Sequence, residues 1–554
     1  MSEQELAPTI WTTGWTSILD TGTWRNQVPV HTWRPAPCFV NCPLGNDIPV
    51  WIGLAAEGSF QEAWQALVEA NPLPSVIGRV CHHPCQNDCN RKVLEGAVGI
   101  NSLEQYLGDM AVQAGWKLPA PADRRGRRVA VVGGGPAGLS AAYHLRRLGF
   151  DVVIYEAEPQ LGGVLRYGIP EYRLPKAVVD SEIRRILDLG VEARLSSPVE
   201  GEAGLAKLKD EYDAVFVATG AGKAKTLRYL EEAGATSGLD FLGALARGEK
   251  PQLGKRVAVV GGGSAAMDVA RSAMRLGHAV SLIVLEDRDA MLAQEDEVID
   301  ALEEGAHLFN GAMIQTVDRA ADGHLVLRCS RVTLDPDAAP GTFKPIPVDG
   351  GDFTVDADSL LVAVGQDADL TLAGNQLGTA NGLITVDAQQ NSSAGSVFAG
   401  GDVATANRYV SVAIGDGRRA AQAIAVALGA TDAELMPTYT TADAVSAEEI
   451  NTYYFPAIEP TKRSKPPANQ RLAGFAETRL GLAAQEAAQE AARCMSCGTC
   501  IECDNCYVFC SDLAVQRDPD STLHYTILKQ YCKGCGVCAV ECPRGCIVME
   551  QETE

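Results

Sequence analysis

Cysteine carries the chemistry at the end of this chain. Between Cys494 and Glu554 the spacing C-x2-C-x2-C-x3-C occurs twice, as Cys500, Cys503, Cys506, Cys510 and as Cys532, Cys535, Cys538, Cys542 followed by Pro543. That is the ligand run of two four-iron, four-sulfur cubes: three thiolates wrap one cube, and the fourth, carried off by the next turn, reaches the other. Cys510 is therefore expected on the cube of Cys532, Cys535 and Cys538, and Cys542 on that of Cys500, Cys503 and Cys506. The bland alternatives are a disulfide knot or a zinc site, but structural zinc takes four ligands rather than eight in doubled spacing. Ser511 stands where the first copy would carry proline, which changes a turn and removes no ligand. The chain thus ends in an outlet for single electrons, which something upstream must supply.

Two glycine-rich stretches are the candidate source. RVAVVGGGPAGLSAAYHLRRLGFDVVIYEAE begins as an apolar strand, Gly133, Gly135, Pro136, Ala137 and Gly138 open a helix, and a second strand ends at Glu156. The glycines let backbone approach a pyrophosphate at the helix N-terminus, and the acid can accept from a ribose 2′-hydroxyl. The unit repeats with Gly261, Gly263, Ser264 and Ala266 and a second strand ending at Glu286. Strand, glycines, helix, strand and acid together outweigh a merely structural glycine turn, so two dinucleotides are expected. Thr219 and Gly220 after one apolar run, and Gly365 after another, mark turns where the chain crosses between domains. SVFAGGDV then returns to the first domain with Gly401 and Asp402. A helix from about Ser411 to Leu428 follows, its N-terminus able to face a polar cofactor edge.

Five further thiols, Cys38, Cys42, Cys81, Cys85 and Cys89, rim a stretch of helical periodicity between Ile48 and Ala70. Five is an awkward number for one cube or two, and His82 and His83 beside them are as ready to be solvated as to ligate. Of the 17 cysteines only Cys329 lies between Cys89 and Cys494, a distribution that suits metal ligation in a reducing cytoplasm. The chain's 554 residues, 46% hydrophobic and 21% charged, suffice for three or four domains. A net charge of -23 disfavours nucleic acid and anionic lipid as partners. No apolar run approaches the roughly 20 residues that span a bilayer, and the N-terminal stretch lacks a basic region followed by an apolar core. Residues 1–37, with Trp11, Trp15, Trp24 and Trp33, read as an extended arm laid on another surface or as a partly ordered tail. Residues 431–467 read as a linker, and Glu477 to Arg493 as a helix by propensity that delivers Cys494.

The segments CPLGNDIP, GRVCHHPC, GGGPAGL, LGGVLRYGIPEYRLPK, GGGSAAMD and FAGGDV, in that order over about residues 38–430, resemble the small subunit of NADPH-dependent glutamate synthase and the N-terminal half of dihydropyrimidine dehydrogenase. The C-terminal module resembles the bacterial ferredoxin appended to NAD(P)H-linked electron-transfer subunits that work with 2-oxoacid oxidoreductases or dissimilatory sulfite reductase. The resemblance implies FAD at the first dinucleotide site and NAD(P)H at the second. It places Gly133, Gly135, Gly138 and Glu156 at the ADP part of FAD, and Gly162, Gly163 and Arg166 along the pyrophosphate and flavin. Asp402 would meet the ribityl chain, and the helix after Ser411 would cap the ring. Gly261, Gly263, Ala266 and Asp268 would form the nicotinamide dinucleotide site.

Two departures from the family are informative. NADPH-using members resemble VTLVYRRTR where this chain has VSLIVLEDR, so Leu285 and Glu286 replace the arginine pair that would meet a 2′-phosphate. A carboxylate there repels a phosphate, which favours NAD(H) over NADP(H), although Arg288 is retained. The family's N-terminal domain also begins with RC-x2-C ahead of the position of Cys38; this chain lacks it there, and AARCMSCG at Cys494 and Cys497 looks like that piece moved to the other end. The resemblance then implies one cube on Cys38, Cys89, Cys494 and Cys497. A second would sit on Cys42, Cys81, Cys85 and, as the family's non-cysteine ligand, Glu104, whose ordinary reading is a solvated surface charge. With the ferredoxin pair the total is four 4Fe-4S clusters, leaving Cys329 and Cys546 spare.

The expected fold is α/β, two nested Rossmann-like domains preceded by an α-helical iron–sulfur domain and followed by a ferredoxin-like α+β domain. The division is an extension (1–37), the helical domain (38–120), the FAD domain (127–250 and 366–430), the NAD(P)H domain (251–365), a linker and helix (431–493) and the ferredoxin module (494–554). Nicotinamide delivers electron pairs and each cube carries one electron, so a flavin must stand between them, and no side chain need act as acid or base. The expected function is an electron-transfer flavoprotein subunit exchanging electrons between NAD(H) and its clusters, with other subunits of an oxidoreductase complex or a soluble ferredoxin as partner. The rivals are a non-catalytic wiring scaffold, the small subunit of a glutamate synthase, and a disulfide reductase of the thioredoxin reductase kind. The last needs a cysteine pair beside the flavin, which residues 90–493 do not supply.

Overall fold

The pentapeptide RVAVV occurs twice, at Arg128–Val132 and Arg256–Val260, and each copy is the central strand of a five-stranded parallel sheet. Runs apolar on both faces suit strands covered by helices on both sides. The structure, a computed structural model, describes residues 25–337, 343–430, 439–521 and 523–552. The first sheet runs in the order Val397–Ala399, Ala214–Val217, Arg128–Val132, Asp151–Tyr155, Glu192–Arg194, and the second in the order His307–Phe309, Ala279–Ile283, Arg256–Val260, Ser359–Val362, Thr236–Ser237. An antiparallel sheet, Ala312–Arg319, Leu325–Leu334 and Pro345–Ala357, extends the second domain and buries Cys329 in its own core.

The chain passes between these domains twice, through Lys223–Ala224 and Gln366–Asp367, which pair antiparallel. This moves one expected boundary. The second domain begins near residue 225 rather than 251, because Thr236–Ser237 pairs with Ser359–Val362 and the helix Gly238–Ala246 packs on the helix Ser264–Arg275.

The helical domain is built from Ile48–Ala56, Phe60–Val68, Pro74–Val80 and Ile100–Ala114 around buried Trp51, Leu67 and Leu103. Its core is completed by the far end of the chain: Leu482, Ala487 and Ala491 join the same cluster. The helix there spans Ala484–Ala491, shorter than the sequence suggests, because residues 477 and 478 are held by contacts elsewhere. Thr478 donates to the Tyr172 carbonyl and Glu477 pairs with Arg79.

The stretch expected to be a loose linker is a strap. Arg463 bonds Asn101, Gln105 and the Gly78 carbonyl of the helical domain. Lys465, Arg471 and Arg479 engage Asp296, Asp300, Glu303 and Glu304 of the second dinucleotide domain. Asp300 and Glu304 are also met by Arg271, and Glu304 by Arg275, all nearly dry. Truncating Arg471 to alanine removes one of several cations around those buried carboxylates, and because Arg271, Arg275 and Lys465 remain, the expected cost is that of lost charged hydrogen bonds, about 2 kcal/mol, read as a lowered denaturant midpoint.

The ferredoxin module carries short helices at Asn505–Val508 and Val537–Val540 and a hairpin of Val515–Arg517 with Tyr525–Ile527. Its last strand, Ile547–Gln551, pairs antiparallel with Gln27–His31, His31 opposite Ile547 and Gln27 opposite Gln551. The arm read from the N-terminal residues is thus a strand of the C-terminal module where it is described; Trp11, Trp15 and Trp24 lie outside the described residues. Among those residues no helix is long and apolar enough to cross a membrane.

Candidate cofactor and cluster sites

The first dinucleotide turn is held by backbone contact. A Cβ at Gly138 would stand 1.9 Å from the Gly133 carbonyl oxygen, and one at Gly163 would stand 2.9 Å from the Gly135 Cα. Residues 133–138 and 162–163 therefore face one another as bare main chain, ahead of the helix Pro136–Arg147, a cradle suited to a pyrophosphate. Glu156 is fixed at its edge, accepting from Gly134 N at 2.7 Å and Glu158 N at 2.9 Å. Thr219 and Gly220 follow the strand Ala214–Val217 at the same edge, and the Gly365 carbonyl accepts from Lys225 N at 2.9 Å across the interdomain pair. Asp402 lies in the turn Gly401–Val403, where burial pushes its carboxyl up to about 6. The helix predicted after Ser411 spans Val410–Ala427, with Ser411 fully buried at its start.

The second turn has the same form with an open side: a Cβ at Gly263 would meet nothing within 4 Å, ahead of the helix Ser264–Arg275 that carries Ala266 in its first turn. Glu286 is buried beside this turn, its Oε2 2.8 Å from where a Gly262 Cβ would stand, and burial raises its carboxyl. Arg288 is turned to Glu295, which it meets through both nitrogens at 2.8 and 2.7 Å.

Two expected contacts are otherwise engaged. Arg166 donates to the Leu161 carbonyl at 2.7 Å and pairs with Asp180, so it braces the Gly162–Gly163 loop from behind. Asp268 pairs with Arg173 at 2.6 Å, and Arg173 also pairs with Glu297, so the Asp268 carboxylate joins the two dinucleotide domains. Burial still lifts it to about 6.

The thiols gather at four places. Cys42, Cys81, Cys85 and Glu104 line one small cavity with Ser411 at its wall, and Cys38, Cys89, Cys494 and Cys497 line another. Cys500, Cys503, Cys506 and Cys542 line a third. Cys510 stands close enough to act electrostatically on Cys532 and Cys538, and Cys535 adjoins them, exposed. Glu104 is buried, accepts from Asn71 Nδ2 at 2.8 Å and is pushed up to about 8 by burial, which removes the reading of it as a surface charge. Burial pushes Cys81, Cys497, Cys506 and Cys538 up to about 12, so thiolates there call for metal charge. Among the described residues no three Cys, His, Asp or Glu close on a single-ion position; the thiols surround cavities instead.

Some neighbours of these sites were not legible in the sequence. His82 stacks on Tyr409 with ring centroids 3.8 Å apart and stands 3.5 Å from Ser411 Oγ, at the start of the helix Val410–Ala427, whereas the histidine lining the first cavity is His83. His83 instead turns its Nδ1 to the Cys81 carbonyl at 2.9 Å. Cys546, read as spare, lines the third cavity.

Residues 127–425 match the family model described as pyridine nucleotide-disulphide oxidoreductase, more than half of the chain. The chain belongs to that family. Residues 33–116 match the model described as dihydropyrimidine dehydrogenase domain II, 4Fe-4S cluster. Among its relatives, the NADP(+)-dependent formate dehydrogenase subunit beta of Moorella thermoacetica is 36% identical over 427 residues, 71% of this chain and 60% of that protein. The NADPH-Fe(3+) oxidoreductase subunit beta of Geobacter sulfurreducens is 32% identical over 504 residues, 83% of this chain and 75% of that one. The glutamate synthase [NADPH] small chain of Azospirillum brasilense is 35% identical over 413 residues, 70% of this chain and 85% of that one. This pyridine nucleotide-disulphide oxidoreductase is thus an FAD- and iron–sulfur-dependent member of the glutamate synthase small-chain type. Between Cys89 and Cys494 the sequence has one cysteine, Cys329, which lies within the core of the second domain.

Proposed function

We propose that the chain is the electron-transfer flavoprotein subunit of a larger complex, exchanging electrons between NAD(H) and a relay of four 4Fe-4S clusters that ends at a partner subunit or a ferredoxin, in the cytoplasm. One observation carries the reading: thiol-lined cavities succeed one another from Ser411, at the start of the helix proposed to cap the flavin, to the exposed Cys503 and Cys535. Bound FAD supplies the step from a hydride's electron pair to single electrons.

The chain's residues do the rest by position. Gly133, Gly135, Gly138 and Gly163 hold the FAD pyrophosphate against main chain, Glu156 meets its ribose, and Asp402 and Ser411 lie along the ribityl chain and ring. Gly261, Gly263 and Ser264 seat the second dinucleotide with Glu286 at its ribose. Cys42, Cys81, Cys85 and Glu104 hold the cluster nearest the flavin. Cys38, Cys89, Cys494 and Cys497 hold the next, and the two ferredoxin sets hold the outer pair. Exposed Val508, Phe509 and Val540 surround the outlet and suit an apolar partner face.

NAD(H) is preferred over NADP(H) because Glu286 is a buried carboxylate at the ribose position and Arg288 is held by Glu295. The formate dehydrogenase, NADPH-Fe(3+) oxidoreductase and glutamate synthase relatives named above point the search for a partner to subunits of corresponding kind. Anaerobic NADH added to the isolated protein should bleach the flavin absorption and then raise reduced-cluster paramagnetic signals, with about sixteen iron atoms per chain. Bound FAD left unbleached would favour the scaffold.

A further inference from the structure

The two halves of the ferredoxin module repeat the same turn with opposite charge. After Cys510 the chain reads Ser511, Asp512, Leu513, Ala514; after Cys542 it reads Pro543, Arg544, Gly545, Cys546. The backbone is alike in both, with Ala514 N donating to Cys510 Sγ at 3.3 Å and Cys546 N to Cys542 Sγ at 3.4 Å. The side chains are not. Asp512 is neutralised by Lys533 at 2.7 Å, whereas Arg544 makes no ion pair among the described residues. Its guanidinium donates to the Met495 carbonyl, lies over the Phe455 ring at 5.1 Å and has its Nε buried without an acceptor.

Met495 sits between Cys494 and Cys497, and Gly498 N donates to the Arg544 carbonyl at 2.7 Å. Arg544 therefore bridges the cavity of Cys38, Cys89, Cys494 and Cys497 to that of Cys500, Cys503, Cys506 and Cys542. Burial works against its charge, and the thiols of Cys494, Cys497, Cys503 and Cys546 work for it. A fixed positive charge favours the more negative, reduced form of a neighbouring cluster.

Resting on the cluster assignment above, we propose that Arg544 is a redox-positioning residue: its unpaired charge raises the potentials of the two clusters it separates above that of the cluster of Cys510, Cys532, Cys535 and Cys538, so that an electron on the relay resides on those two middle clusters.

The test is a potentiometric titration of the full-length holoprotein followed by paramagnetic resonance, the outermost cluster's signal being identified by its loss in Cys535→Ser. In the unmodified protein the two clusters beside Arg544 should be reduced before the outermost one. Arg544→Gln should shift the reduced-to-oxidised ratio of those two by about tenfold at fixed potential, about 59 mV downward for one electron, with iron content and the outermost cluster unchanged. Arg544→Lys, which keeps the charge, should stay near the unmodified values. An outermost cluster that reduces first in the unmodified protein overturns the proposal whatever the variants do, as do unchanged potentials in a fully loaded Arg544→Gln protein. Iron far below about sixteen atoms per chain in the unmodified protein would instead overturn the cluster assignment itself.

Discussion

Replacing Cys494 and Cys497 together by serine removes about four iron atoms per chain and disconnects the two ends of the relay. These thiols close a cavity whose other two come from Cys38 and Cys89, so the cluster proposed there would belong to neither the helical domain nor the ferredoxin module alone. NADH should still bleach the flavin, because nothing in the dinucleotide cradles touches this cavity. Transfer from flavin to the outer clusters should fall at least about 100-fold, since even changing residues that merely support a ligand costs 10–100-fold. Rapid-mixing spectroscopy separates the two phases, and iron analysis checks the stoichiometry. Fast reduction of the outer clusters in this variant would mean that electrons reach them by another route and that the shared cavity is not part of the relay.

The second large effect is expected at Glu286. Its carboxylate is buried beside Gly262, where a dianionic 2′-phosphate would be repelled and a free 2′-hydroxyl would donate to it. NADH should exceed NADPH in kcat/KM on the order of 100-fold, about 2.7 kcal/mol. Glu286→Ser should reduce that ratio to within roughly 10-fold, chiefly by lowering the KM for NADPH, and Glu286→Arg should reverse it. The pH dependence has a definite sign. Burial raises the Glu286 carboxyl, so lowering the pH through its raised pKa neutralises it, removes the repulsion, and narrows the preference for NADH. Steady-state kinetics with both nucleotides from neutral pH downward reads this directly. The expectation runs against the NADP(H) in the names of the three relatives above, which makes an NADPH preference in the unmodified protein decisive against it.

Local pattern made most of the two dinucleotide domains legible. RVAVV followed by glycines specifies strand, tight turn and helix within one short stretch, and both copies became central strands. The grouping of thiols was legible from spacing and family resemblance, down to the distant Cys494 and Cys497 sharing a cavity with Cys38 and Cys89. What escaped depends on contacts distant in sequence. The start of the second domain was misplaced because Thr236–Ser237 is only two residues long and is a strand by virtue of its partner. The strap escaped because a Pro- and Lys-rich stretch looks like a linker until Asp300 and Glu304 are seen waiting for its cations. Arg166 and Asp268 fit their motifs, yet Asp180 and Arg173 claim their charges.

The pairing of Gln27–His31 with Ile547–Gln551 has a consequence for biogenesis. A ribosome adding about 5–20 residues per second leaves Cys38 and Cys89 waiting on the order of a minute for Cys494 and Cys497, and the first strand waiting longer still for its mate. The helical domain and the C-terminal module cannot be completed independently of one another, and with the cluster assignment proposed above, metallation of the shared cavity would be the step that joins the two ends.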